Sequence, residues 1–147
     1  MSLSSISLPK PKNWQDFERA TRVLFECVLG DPNVQLNGRS GQSQHGIDVY
    51  GHRSDGRMVG IQCKQKLGSS VNDDELRSEV EKAQAFRPAL DEFILVTTAQ
   101  RDQKIQETAR LITGELATTD HPIHVSVWGW EDVEEYASEY ARAWKAF

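Results

Sequence analysis

Residues 45–66 read HGIDVYGHRSDGRMVGIQCKQK, and the pairing within this stretch decides the fold. Ile47 and Val49 before an Asp55-Gly56 turn signal, and Val59, Ile61 and Cys63 after it, alternate with polar or small residues. That period of two is the signature of a β-hairpin. A two-residue loop at Asp55-Gly56 would set Asp48 opposite Cys63 and divide the polar residues between the two faces. A three-residue loop, Ser54-Asp55-Gly56, sets Arg53 opposite Arg57 and Asp48 opposite Gln62. This second form, a type I turn closed by a left-handed glycine as a G1 bulge, is the expected one. It puts Asp48, Gln62 and Lys64 on one face and leaves Ile47, Val49, Val59, Ile61 and Cys63 for the core.

An acid, an amide and a lysine side by side suit phosphoryl chemistry. Carboxylate and amide oxygens are hard donors fit for Mg²⁺, which usually takes one or two carboxylates plus water and phosphate oxygens. A lysine two residues beyond Gln62 projects the same way, where it can hold an attacking water or offset charge on phosphorus. The competing reading of these residues is a surface salt bridge on a solvated sheet face.

Gly46-Ile47-Asp48 followed by Ile61-Gln62-Cys63-Lys64 resembles the PD-(D/E)xK nuclease superfamily, and within it the Mrr-like restriction endonucleases, whose second acid is often Gln. The similarity covers most of the chain. It takes in a leading helix with Phe17-Glu18, a Gly-containing loop, the two hairpin strands and a later strand ending in Thr97-Thr98. The resemblance implies an α/β fold with a restriction-endonuclease-like core, a mixed central β-sheet flanked by helices on both faces. It implies Mg²⁺-dependent hydrolysis of DNA phosphodiester bonds, with Mn²⁺ as a substitute ion. Asp48, Gln62, Lys64 and Glu18 would be the catalytic set, and Asp48, Gln62 and Glu18 the metal ligands. Gln62 in place of an acid removes one charge and puts more weight on Glu18. The implied partners are double-stranded DNA, a second copy of the chain for cutting both strands, and a fused or associated sensor or NTPase region. The implied setting is bacterial restriction or anti-phage defence. The rival readings are a catalytically inactive module of the same fold that binds DNA or a protein, and an α/β regulatory or oligomerisation domain whose polar hairpin face is only surface.

A chain of 147 residues fits one domain with a real core. The expected division is a flexible arm over residues 1–12 and a single nuclease domain over 13–147, either free-standing or the effector part of a longer protein. No apolar run reaches the roughly 18 residues of a membrane span, and no secretion signal is evident. Cys27 and Cys63 read as reduced thiols rather than a disulfide or zinc site, so a cytoplasmic location is expected. The net charge of −5 argues against nucleic acid only when averaged over the chain. Residues 1–70 carry +3 and residues 71–147 carry −8. The basic surplus follows the hairpin, through Arg39, Arg53, Arg57, Lys64 and Lys66, and a local positive surface suffices for phosphate. Arg39, His45 and Lys66 are the candidate nucleic-acid contacts.

Asn13 is a plausible N-cap for a helix over 14–29 with an apolar stripe of Phe17, Ala20, Leu24 and Val28. Beside it, Glu18 reads either as an i,i+4 partner of Arg22 or as the metal-facing glutamate that the resemblance implies, with Glu26 the weaker substitute. A short strand over 34–37 precedes the polar loop 38–44. Asn72 with Glu75 resembles a capping box for a helix running to about Phe86, which explains Asp73–Glu75 without metal. Glu92–Ala99 suits a buried strand, with Thr97 and Thr98 read as satisfying backbone groups. A helix over 100–116, a strand over 123–130 and one acidic terminal helix over 131–147 complete the order.

Overall fold

The computed structural model describes residues 7–39 and 45–147. The hairpin adopts the bulged register. Val49 faces Ile61 and His52 faces Met58 across an antiparallel pair, and Arg53 N–H donates to Arg57 O at 2.9 Å. Gly56 N–H closes the turn on Arg53 O at 2.9 Å. Gly56 has φ +92°, a conformation that L side chains resist. Sequence chemistry at one loop thus fixes which residue stands opposite which along both strands.

The chain order is α1 (Trp14–Leu29), β1 (Gln35–Leu36), β2 (Val49–His52), β3 (Met58–Lys64), α2 (Asp73–Ala83), β4 (Glu92–Thr97), α3 (Gln103–Leu116), β5 (His124–Trp128), α4 (Trp130–Ala137) and α5 (Ala141–Ala146). The five strands lie side by side in sequence order. β1–β2 and β2–β3 are antiparallel, whereas β3–β4 and β4–β5 are parallel, each joined through a helix. The sheet is mixed, as expected. β4 is buried along its whole length because both faces are covered. On one side Phe93 and Leu95 meet Leu76 and Val80 of α2 and Ile105 and Ile112 of α3. On the other, Ile94 and Val96 meet Phe17, Leu24 and Phe25 of α1 with Trp130, Val133 and Ala143.

Three expectations need correction. Residues 7–12 are not a loose arm: Leu8 is 3% exposed in the α1-side core, and its N–H donates to Glu134 at 2.8 Å. Residues 1–6 lie outside the described part. The terminal helix is two helices, because Tyr140 is extended at φ −133°, ψ 112° and starts a new one. The bend lets Ala143, Trp144 and Phe147 fold back on the α1 side, where Trp130 and Phe147 meet edge-on. Ile47 does not share a face with Val49. It packs with Leu90 and the α2–α3 side, while Val49 packs on the α1 side. Positive φ at His45 and Gly46 turns the chain there and interrupts the strand alternation.

Helix ends follow local chemistry. Asn13 Oδ1 accepts from Asp16 N–H at 2.9 Å, Asn72 Oδ1 from Glu75 N–H at 2.8 Å, and Asp102 Oδ1 from Lys104 N–H at 2.9 Å. Thr97 and Thr98 satisfy backbone as read. Thr97 Oγ1 accepts from Ala99 N–H at 3.1 Å and Thr98 Oγ1 from Lys66 N–H at 2.8 Å. Cys27 and Cys63 are both free thiols, and no described helix is long and apolar enough to cross a membrane.

Candidate active site

The break before β2 shapes the site. Where a regular strand would continue the ladder, Asp48 turns its carboxylate inward and accepts Cys63 N–H at 2.8 Å. Its own N–H still donates to Ile61 O at 2.9 Å. Asp48 is therefore held by the backbone at the end of the β2–β3 pairing. A cleft of about 690 Å³ opens there, and Glu18, Arg39, His45, Asp48, Gln62 and Lys64 all line it. Lys66, the third candidate nucleic-acid contact, points elsewhere. Its ammonium sits 2.9 Å from both Glu75 oxygens.

α1 brings Glu18 to the cleft from the side opposite α2. The supposed pair with Arg22 does not form there, since Arg22 bonds Glu26, which also binds Arg142 of α5. Glu26 is thereby committed to structure. Glu18 instead faces Asp48 across the cleft. Burial first, then the charge of Asp48, push the Glu18 carboxyl up to about 7. Burial also raises Asp48, against the lowering effects of the Cys63 N–H, Glu18 and Lys64. Two desolvated carboxyls that oppose each other's ionisation would be relieved by a cation placed between them.

The sequence reading missed Glu79. This α2 residue is 5% exposed and accepts from Gln62 Nε2 at 2.6 Å. It also lies 3.2 Å from Lys64 Nζ. Burial alone would raise its pKa, but the hydrogen bonds from Gln62 and Lys64 hold it below the usual range. A signal was present: Leu76, Glu79, Val80 and Ala83 form the inward stripe of α2, so an acid falls on an apolar face. Lys64 has a second acidic neighbour in Glu75 at 3.6 Å.

The hairpin arginines stand away from this chemistry. Arg53 bonds Glu92, and Arg57 pairs with Asp55 at 2.8 Å, beside the turn. The positive charge lining the cleft comes from Arg19, Arg39, Lys64 and Lys82.

A divalent cation fits the donor set. Among the described residues no three His, Cys, Asp or Glu side chains gather as a metal site. The third oxygen would have to come from an amide, and Gln62 Oε1 is buried without any hydrogen-bond partner. Together with Glu18 and Asp48 it makes a hard-oxygen set.

The family model for the Mrr catalytic domain, described as a restriction endonuclease, matches residues 11–121. The chain belongs to the Mrr-type restriction endonuclease family. Among curated proteins none matches the chain. The family match runs from the approach to α1 to the loop before β5, so it contains every cleft residue named above. A restriction-type nuclease acting on DNA follows from the family, and the mixed α/β sheet is the core expected of it.

Proposed function

We propose that this Mrr-type domain is a Mg²⁺-dependent DNA endonuclease, with Mn²⁺ able to substitute, whose site is the cleft at the end of the β2–β3 pairing. The observation that carries the reading is the convergence of Glu18, Asp48, Gln62 and Lys64 on one cleft from α1, the β2 entry and β3. Asp48, Glu18 and Gln62 Oε1 would hold the ion, which supplies Lewis acidity toward a phosphate oxygen and an acidified water. Lys64, held 3.2 Å from Glu79 on the same cleft as Asp48, orients the attacking water and offsets charge gathering on phosphorus. A bound cation would favour the ionised forms of Glu18 and Asp48, both of which burial holds toward the protonated state. Arg39 and His45, on the cleft wall, meet the DNA backbone.

Residues 13–147 form one catalytic unit, with residues 7–12 packed onto it. Cutting both strands of a duplex needs two such clefts, so the active form is a dimer or a higher assembly. Its setting is bacterial restriction or anti-phage defence in the cytoplasm, alongside a fused or associated sensor or NTPase region. The free thiols of Cys27 and Cys63 agree with a reducing compartment.

The test is supercoiled plasmid incubated with the protein and Mg²⁺, with a chelator control, for wild type, Asp48→Ala and Lys64→Ala. Nicked or linear product is expected from wild type alone, with each variant reduced at least about a hundredfold. Equal cutting by all three would place the chemistry elsewhere. Tight metal-independent DNA binding without cleavage would favour an inactive module of the same fold.

A further inference from the structure

The nuclease reading leaves one buried acid of the cleft without a task. Glu79 lies on the inward stripe of α2, where an ionisable side chain is costly unless paired. Its Oε2 accepts from Gln62 Nε2 at 2.6 Å. Its Oε1 lies 3.2 Å from Lys64 Nζ and 3.4 Å from Lys82 Nζ. Gly46 closes over this contact: a Cβ there would stand 3.0 Å from Glu79 Oε2 and 3.3 Å from Gln62 Nε2.

The second observation is on the other end of the same amide. Gln62 Oε1 is buried and has no hydrogen-bond partner. A primary amide has a donor end and an acceptor end, and its hydrogen-bond network decides which way it lies. Turned over, Gln62 would set its carbonyl oxygen against the Glu79 carboxylate, two acceptors with no proton between them. Glu79 therefore selects the orientation and leaves the carbonyl oxygen buried and uncommitted, on a residue that lines the cleft.

We propose that Glu79 is a positioning residue that clamps the Gln62 amide so that its carbonyl oxygen, not its nitrogen, is offered to a divalent cation, while the same carboxylate holds Lys64 beside it. This rests on the metal-dependent nuclease reading above. The arrangement explains how glutamine serves where an acid is usual. The strand supplies a neutral oxygen, and the negative charge stands one residue further out, on α2. Partners that orient a ligand in this way typically govern metal affinity by tenfold or more.

Two measurements, neither using cleavage, test it. In the ¹⁵N-labelled wild type, one Gln62 side-chain amide proton is expected well downfield, and Glu79→Ala returns it to the ordinary range. Mn²⁺ binding is then followed by calorimetry without DNA for wild type, Glu79→Gln, Gln62→Ala and the double variant, each checked for cooperative unfolding. Glu79→Gln preserves volume and is expected to weaken Mn²⁺ at least about tenfold. In the Gln62→Ala background the same change should add nothing. Unchanged affinity in Glu79→Gln, or losses that simply add in the double variant, would overturn the proposal. A wild type that binds Mn²⁺ but shows no shifted amide proton overturns the clamp alone. A shifted proton with no Mn²⁺ binding overturns the metal-dependent reading, and with it the ligand role of Gln62.

Discussion

The Glu18–Asp48 pair makes the stability of the metal-free protein fall as pH rises, and Glu18→Gln should abolish most of that fall. In the unfolded chain Glu18 loses its proton near 4.5, and in the fold only near 7, because of burial and then the neighbouring Asp48 charge. Between those values the folded state binds more protons than the unfolded state. Stability is therefore greatest below about 4.5 and is lost as pH climbs through about 7. At about 1.4 kcal/mol per pH unit of separation the ceiling is about 3 kcal/mol. Glu18 is partly exposed, and solvent screening brings the expected loss to about 1–2 kcal/mol. Asp48, also raised, acts in the same direction. The assay is urea unfolding with a chelator present, at about pH 5 and about pH 8, for wild type and Glu18→Gln. The variant should match wild type at the lower pH and exceed it by about 1–2 kcal/mol at the higher. Comparing the two proteins cancels the titrating groups that do not interact with Glu18, and leaves the coupled Glu18–Asp48 contribution. Parallel losses in both would show that Glu18 is not held protonated by its surroundings. Added Mg²⁺ should stabilise wild type more at the higher pH, where the pair has already given up its proton.

Other outcomes follow from particular contacts. Leu8→Ala should cost about 2–3 kcal/mol in urea unfolding, since the side chain is buried in the α1-side core; no change would restore residues 7–12 to a loose arm. Gly46→Ala combines φ +75° with a Cβ 3.0 Å from Glu79 Oε2, and a loss of about 1–2 kcal/mol is expected in thermal unfolding. Arg142→Ala removes only one of two arginines on Glu26, from a largely exposed position, and should shift denaturant stability by less than about 1 kcal/mol. DNA retention on a gel, measured with a catalytically silent Asp48→Ala protein, should weaken steeply between low and physiological salt. Salt-insensitive retention would argue against the cleft cations as the phosphate-binding surface.

Local chemistry made much of this fold legible. Period-two apolar residues gave the hairpin, and Ser54-Asp55-Gly56 gave its register, because a three-residue loop closed by a left-handed glycine sets Arg53 opposite Arg57. Asn13 and Asn72 marked helix starts, since their side chains cap backbone N–H groups within three residues. The uninterrupted Phe93–Val96 run marked the strand buried on both faces.

Contacts between distant segments decided the rest. Leu8 reads as part of a polar arm until Glu134 and the α1-side core are folded against it. Tyr136, Tyr140 and Trp144 keep helical spacing through a bend that only packing on α1 requires. Arg53 and Arg57 counted as cleft charge in the linear sequence, but Glu92 and Asp55 engage them at the turn. Sequence spacing aligned Asp48, Gln62 and Lys64 but had no means of bringing in Glu18 and Glu79, which lie on helices on opposite sides of the sheet. A strand's alternation fixes where its own side chains point, whereas the neighbours they meet depend on how helices far along the chain are laid across it.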